Sequence, residues 1–398
     1  MEVGVVGKPN VGKSTLFNAL TLMDATMAPF PFTTIAPNRG VGAVRTACPH
    51  AEKGIACTPG NAACVDGVRW VPVKLLDVPG LVPGAHEGKG LGTQFLDDLR
   101  AADGFVQVVD LSGATNAEGQ PVPAGSVDPA LEVAWLQDEL LEWVLGILNR
   151  DFDRTARSIE MEEKKVEEFL ADRLAGLSIG PARVAAALRV VPLDRAHPSR
   201  WSPAERRRLV SALLDESKPR VVAANKCDRV DLAARDGLRE RLDPIPVEAT
   251  AAEAELTLRR AARAGLITYH PGDPGFREKA AERLSPPQRA ALDAIRGVLA
   301  RWGSTGVQAA LERMVFDRLH QIVVFPVEDE AHWTDSKGRV LPDALLVPAG
   351  TTARGLAYKV HSDLGENFVK AVDGRTHRAL AADHALDHGS VVRIAARK

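Results

Sequence analysis

Short apolar runs, each ending in glycine or a polar residue, recur along the chain. Residues 3–6 form the first, and Val73-Lys74-Leu75-Leu76, residues 105–111 and Val221-Val222-Ala223-Ala224 follow, with another around Ile245 and Val247. Runs of this length, bounded by turn residues, predict the buried strands of a mostly parallel sheet. Between them the period lengthens. Ser14-Thr15-Leu16-Phe17-Asn18-Ala19-Leu20 predicts a helix directly after the first strand. Leu131, Trp135, Leu136, Leu140, Trp143, Val144 and Ile147 recur at helical spacing. A second amphipathic run spans 154–174 and carries Glu162-Glu163-Lys164-Lys165 on an exposed face. Gly180-Pro181 and Ser202-Pro203 mark further helix starts. These helices fall between the strands at 105–111 and 221–224, behind a Pro/Gly-rich stretch at 121–129, so they predict an insertion. From Gln321 the pattern turns extended again. Ile322-Val323-Val324-Phe325-Pro326-Val327 predicts a strand and Asp335-Ser336-Lys337-Gly338 a turn. Leu341 and residues 344–347 predict a second extended stretch, and Thr351-Thr352 caps a helix from 353 to about 363. Val391-Val392-Arg393-Ile394 closes as a last strand, and the set suits a β-grasp module. The predicted division is an α/β domain in two parts, 1–112 and 219–320, a helical insertion at 113–218 and a β-grasp domain at 321–398.

The chemistry lies where the strands end. Gly7-Lys8-Pro9-Asn10-Val11-Gly12-Lys13-Ser14 fits G-x-x-x-x-G-K-[ST] between a strand and a helix. Backbone donors from Asn10 through Thr15, with Val11 and Gly12 between them, would surround phosphate oxygens at a helix N-terminus. Lys13 would bridge β- and γ-phosphates, and the Ser14 hydroxyl would ligand Mg²⁺. Pro31-Phe32-Thr33-Thr34-Ile35 offers hydroxyls to the γ-phosphate and metal; Thr34 is assigned the Mg²⁺ contact, with Thr33 as the alternative. Asp77 in Asp77-Val78-Pro79-Gly80 would hold the metal through water, and the Gly80 N–H would sense the γ-phosphate. In Asn225-Lys226-Cys227-Asp228, a carboxylate can accept from both N1–H and N2–H₂ of guanine, an arrangement adenine lacks. Thr250-Ala251-Ala252 would bring the Ala251 N–H to guanine O6. Five stations in this order predict a P-loop G domain binding GTP and GDP.

Composition narrows the setting. With 398 residues, 45% of them hydrophobic, the chain can bury the cores of several domains. Its net charge of −2 advertises no global field for nucleic acid, so RNA contact must be local and no DNA sequence readout is expected. No apolar run approaches the roughly 18 residues of a membrane span. A first strand starting near Met1 and four cysteines without a disulfide pattern give a cytoplasmic expectation.

Gly7 to Thr15 with Asn10, followed by Pro31-Phe32-Thr33-Thr34-Ile35-Ala36-Pro37-Asn38, resembles the Obg-related translation GTPases. Gly80-Leu81-Val82-Pro83-Gly84-Ala85-His86-Glu87-Gly88-Lys89-Gly90-Leu91-Gly92 with Phe95-Leu96 is similar to the YchF-type subgroup, archaeal branch, over nearly the whole chain. The resemblance implies a G domain, a helical insertion and a C-terminal TGS domain associated with RNA or ribosome contact. Arg354, Lys359, His361, Lys370, Arg375, His377 and Arg378 would give that domain a modest basic face, which ordinary surface charge explains equally well. The better-known YchF branch departs from N-K-x-D and prefers ATP, whereas Asn225, Lys226 and Asp228 keep the guanine pattern.

Cys48, His50, Cys57 and Cys64 crowd a Gly/Pro/Asn-rich loop at 48–66, and Cys₃His is a zinc donor set. Relatives of the archaeal type tend to carry cysteine in place of His50. Free thiols or a redox-labile pair are the alternatives. Cys227 stands apart, beside the base motif. Leu81 occupies the position where Ras-like enzymes carry a water-orienting glutamine, which predicts slow turnover. Asn10 would help hold K⁺ near the phosphates, or His86 would position water in a glycine-rich mobile switch. The expected activity is slow Mg²⁺-dependent GTP hydrolysis. The alternatives are a YchF-like ATPase or a nucleotide-holding RNA adaptor with negligible turnover.

Overall fold

The structure, a computed structural model, describes residues 1–22, 38–78, 100–162, 164–177 and 179–397. Thr33, Thr34, Gly80, Leu81, His86 and the glycines at 84, 88, 90 and 92 lie outside these residues.

The N-terminal apolar runs form one sheet because each can be buried on both faces. Strands β1 (Glu2–Val6), β2 (Arg39–Ala47), β3 (Ala63–Val65), β4 (Val68–Asp77), β5 (Gly104–Asp110), β6 (Arg220–Asn225) and β7 (Val247–Thr250) belong to it. Its order is β2-β4-β1-β5-β6-β7, with β3 paired to β4. β1 runs parallel to β4 and β5, β5 to β6, and β6 to β7, whereas β2 and β3 are antiparallel to β4. This parallel core brings the strand ends at Val6, Asp77, Asp110, Asn225 and Thr250 to one edge, where ligands bind in open α/β sheets.

The helix α1 (Lys13–Thr21) and helices Ala252–Arg263 and Val307–Glu312 cover one face through Leu16, Leu20, Leu256 and Leu311. The insertion covers the other. Its long helix, Pro129–Asn149, is capped by Asp128 and puts Leu136, Leu140, Val144 and Leu148 against Val6, Leu76 and Phe105. Helix Pro203–Ser217 begins with a capping box between Ser202 and Glu205, as its Ser-Pro start predicts. The helix expected over 154–174 is instead two, Phe152–Met161 and Val166–Arg173. Glu162, Lys164 and Lys165 hold no apolar side chain to seat a continuing helix, and the first helix ends at Met161. Phe152 then packs against Phe169 and Trp201, with centroids 5.9 and 6.1 Å away.

After β7 a small hairpin forms from β8 (Ile267–Thr268) and β9 (Arg277–Glu278). The C-terminal sheet has the order β11-β10-β14-β12-β13, from β10 (Gln321–Val327), β11 (Leu345–Pro348), β12 (Phe368–Asp373), β13 (Ala379–Leu380) and β14 (Val391–Ala396). Helix Ala353–Val360 is capped by Thr352 and packs on it through Leu356, a β-grasp arrangement. The predicted helix ends early, because His361 breaks it and caps a second short helix, Ser362–Glu366. Phe325, Trp333 and Leu341 join the same buried cluster as α1 and β4, so the two domains share a core.

Candidate functional site

The phosphate-binding loop leaves β1 under tight constraint. A Cβ at Gly7 would stand 2.6 Å from the Val108 carbonyl oxygen. Asn10 (φ 63°) and Gly12 (φ 96°) both take left-handed backbone to close the loop, which glycine does without cost. α1 then starts with no side-chain cap, and the Leu16 N–H is its first helical donor, to Gly12 at 2.9 Å. The preceding N–H groups are thus left for an anion. Ser14 is exposed at this mouth, Thr15 half-buried beside it. Across from it, Asp77 ends β4 opposite Val5, and the Lys13 ammonium is hydrogen-bonded to its carboxylate. The structure therefore brings Lys13 and Asp77 together, with Ser14 next along α1.

Asn225 joins the other half of the site to this loop. Its Nδ2 donates to the Val11 carbonyl at 2.8 Å, while Oδ1 accepts from the Ala252 N–H at 3.0 Å and the Thr250 hydroxyl at 3.3 Å. A Cβ on Gly12 would come within 2.2 Å of that Nδ2. Lys226 (φ 65°) turns the chain and bonds Asp110 at 2.8 Å and the Thr115 hydroxyl at 3.1 Å. Burial would raise the Asp110 carboxyl, but hydrogen bonds from Lys226, Ser112 and Thr115 outweigh it and hold the group below the usual carboxylate range. Asp228 remains 43% exposed, with the Arg229 guanidinium 4.0 Å away. Cys227 is buried beneath it, which pushes its thiol up to about 12, so it is inert packing. Ala251 differs from its expected role. Its N–H donates to the Thr305 carbonyl at 2.9 Å, so the expected O6 donor is already engaged.

Three contacts that motif reading missed bind the insertion to the phosphate loop. Lys8 donates to the Thr115 carbonyl and pairs with Glu132, both at 2.5 Å and both side chains buried. Asn10 Nδ2 donates to the Gly119 carbonyl at 2.8 Å. Burial pushes the Glu132 carboxyl up to about 7 even with Lys8 pulling it down. The available signals were a carboxylate on the apolar stripe of Pro129–Asn149 and Asp110 aligned with Asn225 in the sheet.

The loop at 48–66 gathers a second group. The ligand atoms of Cys48, His50, Cys57 and Cys64 all lie within 4.8 Å of one another, with His50 Nδ1 3.6 Å from the Cys64 sulfur. A hydrogen bond from the Cys64 thiol, helped by His50 and Arg69 against burial, holds Cys48 well below the usual thiol range, and the same contact pushes Cys64 up.

Comparison with known proteins follows this geometry. Residues 2–140 match the family model described as 50S ribosome-binding GTPase. Residues 223–329 match an Obg-like GTPase YGR210-like, G4 motif-containing domain, and 337–396 match the TGS domain. A GTP-binding protein of Methanocaldococcus jannaschii, itself called uncharacterized, is 44% identical over 98% of both chains. The chain belongs to the YchF-type, Obg-like family of GTP-binding proteins. A relative of known structure, the GTP binding protein from Pyrococcus horikoshii OT3, superposes with a TM-score of 0.82 at 36% identity, covering all of both chains. The ribosome-binding ATPase YchF of Escherichia coli O157:H7 is 36% identical over 45% of this chain and 44% of its own. The family is one of P-loop GTPases and ATPases, and its TGS domain is the β-grasp unit described above.

Proposed function

We propose that this YchF-type chain is a slow, Mg²⁺-dependent GTPase whose nucleotide state is read by a ribosomal or RNA partner in the cytoplasm. The observation that carries it is the Asn225 bridge to Val11, which fixes the base-recognition turn to the phosphate loop while leaving the Asp228 carboxylate open. With Lys226 locked to Asp110, that turn is held ready before nucleotide arrives.

Ser14, which follows Lys13, and Asp77, which Lys13 bonds, offer the oxygen donors that suit a hard divalent cation. Mg²⁺ held by them, and by Thr34 as assigned from sequence, would neutralise developing charge on the β- and γ-phosphate oxygens. Lys13 pairs with Asp77; phosphate oxygens of a bound nucleotide would take over its ammonium and leave the carboxylate to the metal. Gly80 would report the γ-phosphate. Asn10 Oδ1 would be the candidate ligand for K⁺, its Nδ2 being anchored to Gly119.

The YchF relatives described as ribosome-binding ATPases favour a ribosome as partner, for which the TGS and helical domains are the candidate surfaces, and they also raise ATP as a second substrate. Asp228 opposes ATP, because adenine offers no matching pair of donors. The test is multiple-turnover phosphate release from GTP with Mg²⁺. Slow release that disappears in Lys13→Ala supports the enzyme; equal rates in both chains would leave only a nucleotide-holding adaptor.

A further inference from the structure

Among the groups outside the nucleotide site, the loop at 48–66 carries the strongest chemistry. Four soft donors converge within 4.8 Å, and a zinc tetrahedron with Zn–S near 2.3 Å has edges of about 3.8 Å. Small side-chain movements therefore close the site. The surrounding charge favours an anionic centre. The Arg69 guanidinium on β4 is fully buried and donates from Nη2 to the Cys48 sulfur at 3.3 Å and the Leu341 carbonyl at 2.9 Å. Its Nε and Nη1 have no hydrogen-bond partner, and the Asp343 carboxylate feels its charge. A buried cation is costly unless negative charge stands beside it. Three thiolates and a neutral imidazole around Zn²⁺ carry one net negative charge, set directly against the guanidinium that donates to the Cys48 sulfur.

The same loop is the seat of the TGS domain. The Thr58 and Gly60 N–H groups donate to the Val340 and Pro342 carbonyls at 2.8 and 2.7 Å. Asn61 exchanges two hydrogen bonds with Ala344, at 3.1 and 2.9 Å. Lys53 lies 3.9 Å over the Trp333 ring. Yet residues 55–62 form no helix or strand that could hold these donors in place.

We propose that Cys48, His50, Cys57 and Cys64 bind zinc as a closed structural Cys₃His centre, and that this ion fixes the TGS domain on the G domain. Four protein ligands leave no open position, so the ion is not hydrolytic.

Cobalt(II) titration of the full chain, stripped of metal under reducing conditions, tests the site. The expected result is a tetrahedral cobalt–thiolate spectrum that saturates at one equivalent, is displaced by zinc and is lost in Cys57→Ser with GDP affinity unchanged. His50→Cys should keep the site with stronger charge-transfer absorption, which separates loss of a ligand from misfolding. Hydrogen exchange, read with Mg²⁺ restored, should show the segment around 338–346 losing protection when zinc is removed. Absence of the spectrum with all thiols reduced, or a native disulfide between these cysteines, overturns the metal site. Unchanged exchange on zinc removal overturns the coupling of domains.

Discussion

One amide holds two distant parts of the nucleotide site together. Asn225 spends Nδ2 on the phosphate loop and Oδ1 on the Thr250–Ala252 corner, so the base pocket cannot drift from the phosphate pocket. Gly12 sits in the gap this leaves. Gly12→Ala would place a Cβ 2.2 Å from that Nδ2 on backbone with φ of 96°. The left-handed strain alone costs about 1–2 kcal/mol, and the displaced amide should weaken GDP binding far more, which titration calorimetry would measure. Asn225, Lys226 and Asp228 were legible because their spacing is a motif. Asp110 was not, because a lone aspartate at a strand end has no spacing; only the sheet register sets it under Lys226. Ala251 was misjudged for a related reason, since its N–H is taken by Thr305 from a distant part of the chain.

Helix Pro129–Asn149 illustrates what periodicity reveals and what it hides. Its apolar stripe announced a helix packed on the sheet, and the Asp128 cap confirms where it begins. The same stripe carries Glu132, which pairs with Lys8 under the phosphate loop. The consequence for pH is specific. Glu132 titrates near 7 when folded against 4.5 ordinarily, so the native state binds the extra proton. Stability from this group is therefore greatest at or below pH 4.5 and falls as pH rises towards 7. Glu132→Gln abolishes that slope. Whatever its fixed offset from losing Lys8's partner, the variant should gain on the parent between pH 5 and 7 in urea unfolding. A parallel dependence in the two chains would contradict the burial-raised carboxyl of Glu132. The helix break at 162–165 was hidden because charged residues continue a helical pattern as readily as they end one.

At the scale of the whole molecule, the order of strands and helices announced a G domain, an insertion and a β-grasp module, while their mutual seating was not legible. Arg375 shows why. It looked like part of a basic face, yet it forms paired 2.7 Å bonds with Glu52 of the G domain. Such an exposed pair is worth at most about 1 kcal/mol, so the shared core around Phe325 and Leu341 carries most of the seating. Among the described residues no helix is long and apolar enough to cross a membrane. On the proposed function one turn, Asn225 to Asp228, selects guanine. Equilibrium binding of GTP, GDP and ATP with Mg²⁺ to the parent chain and to Asp228→Ala tests this most directly. Guanine nucleotides should bind much more tightly than ATP, with the preference lost in the variant. ATP bound as tightly as GTP by the parent would contradict it.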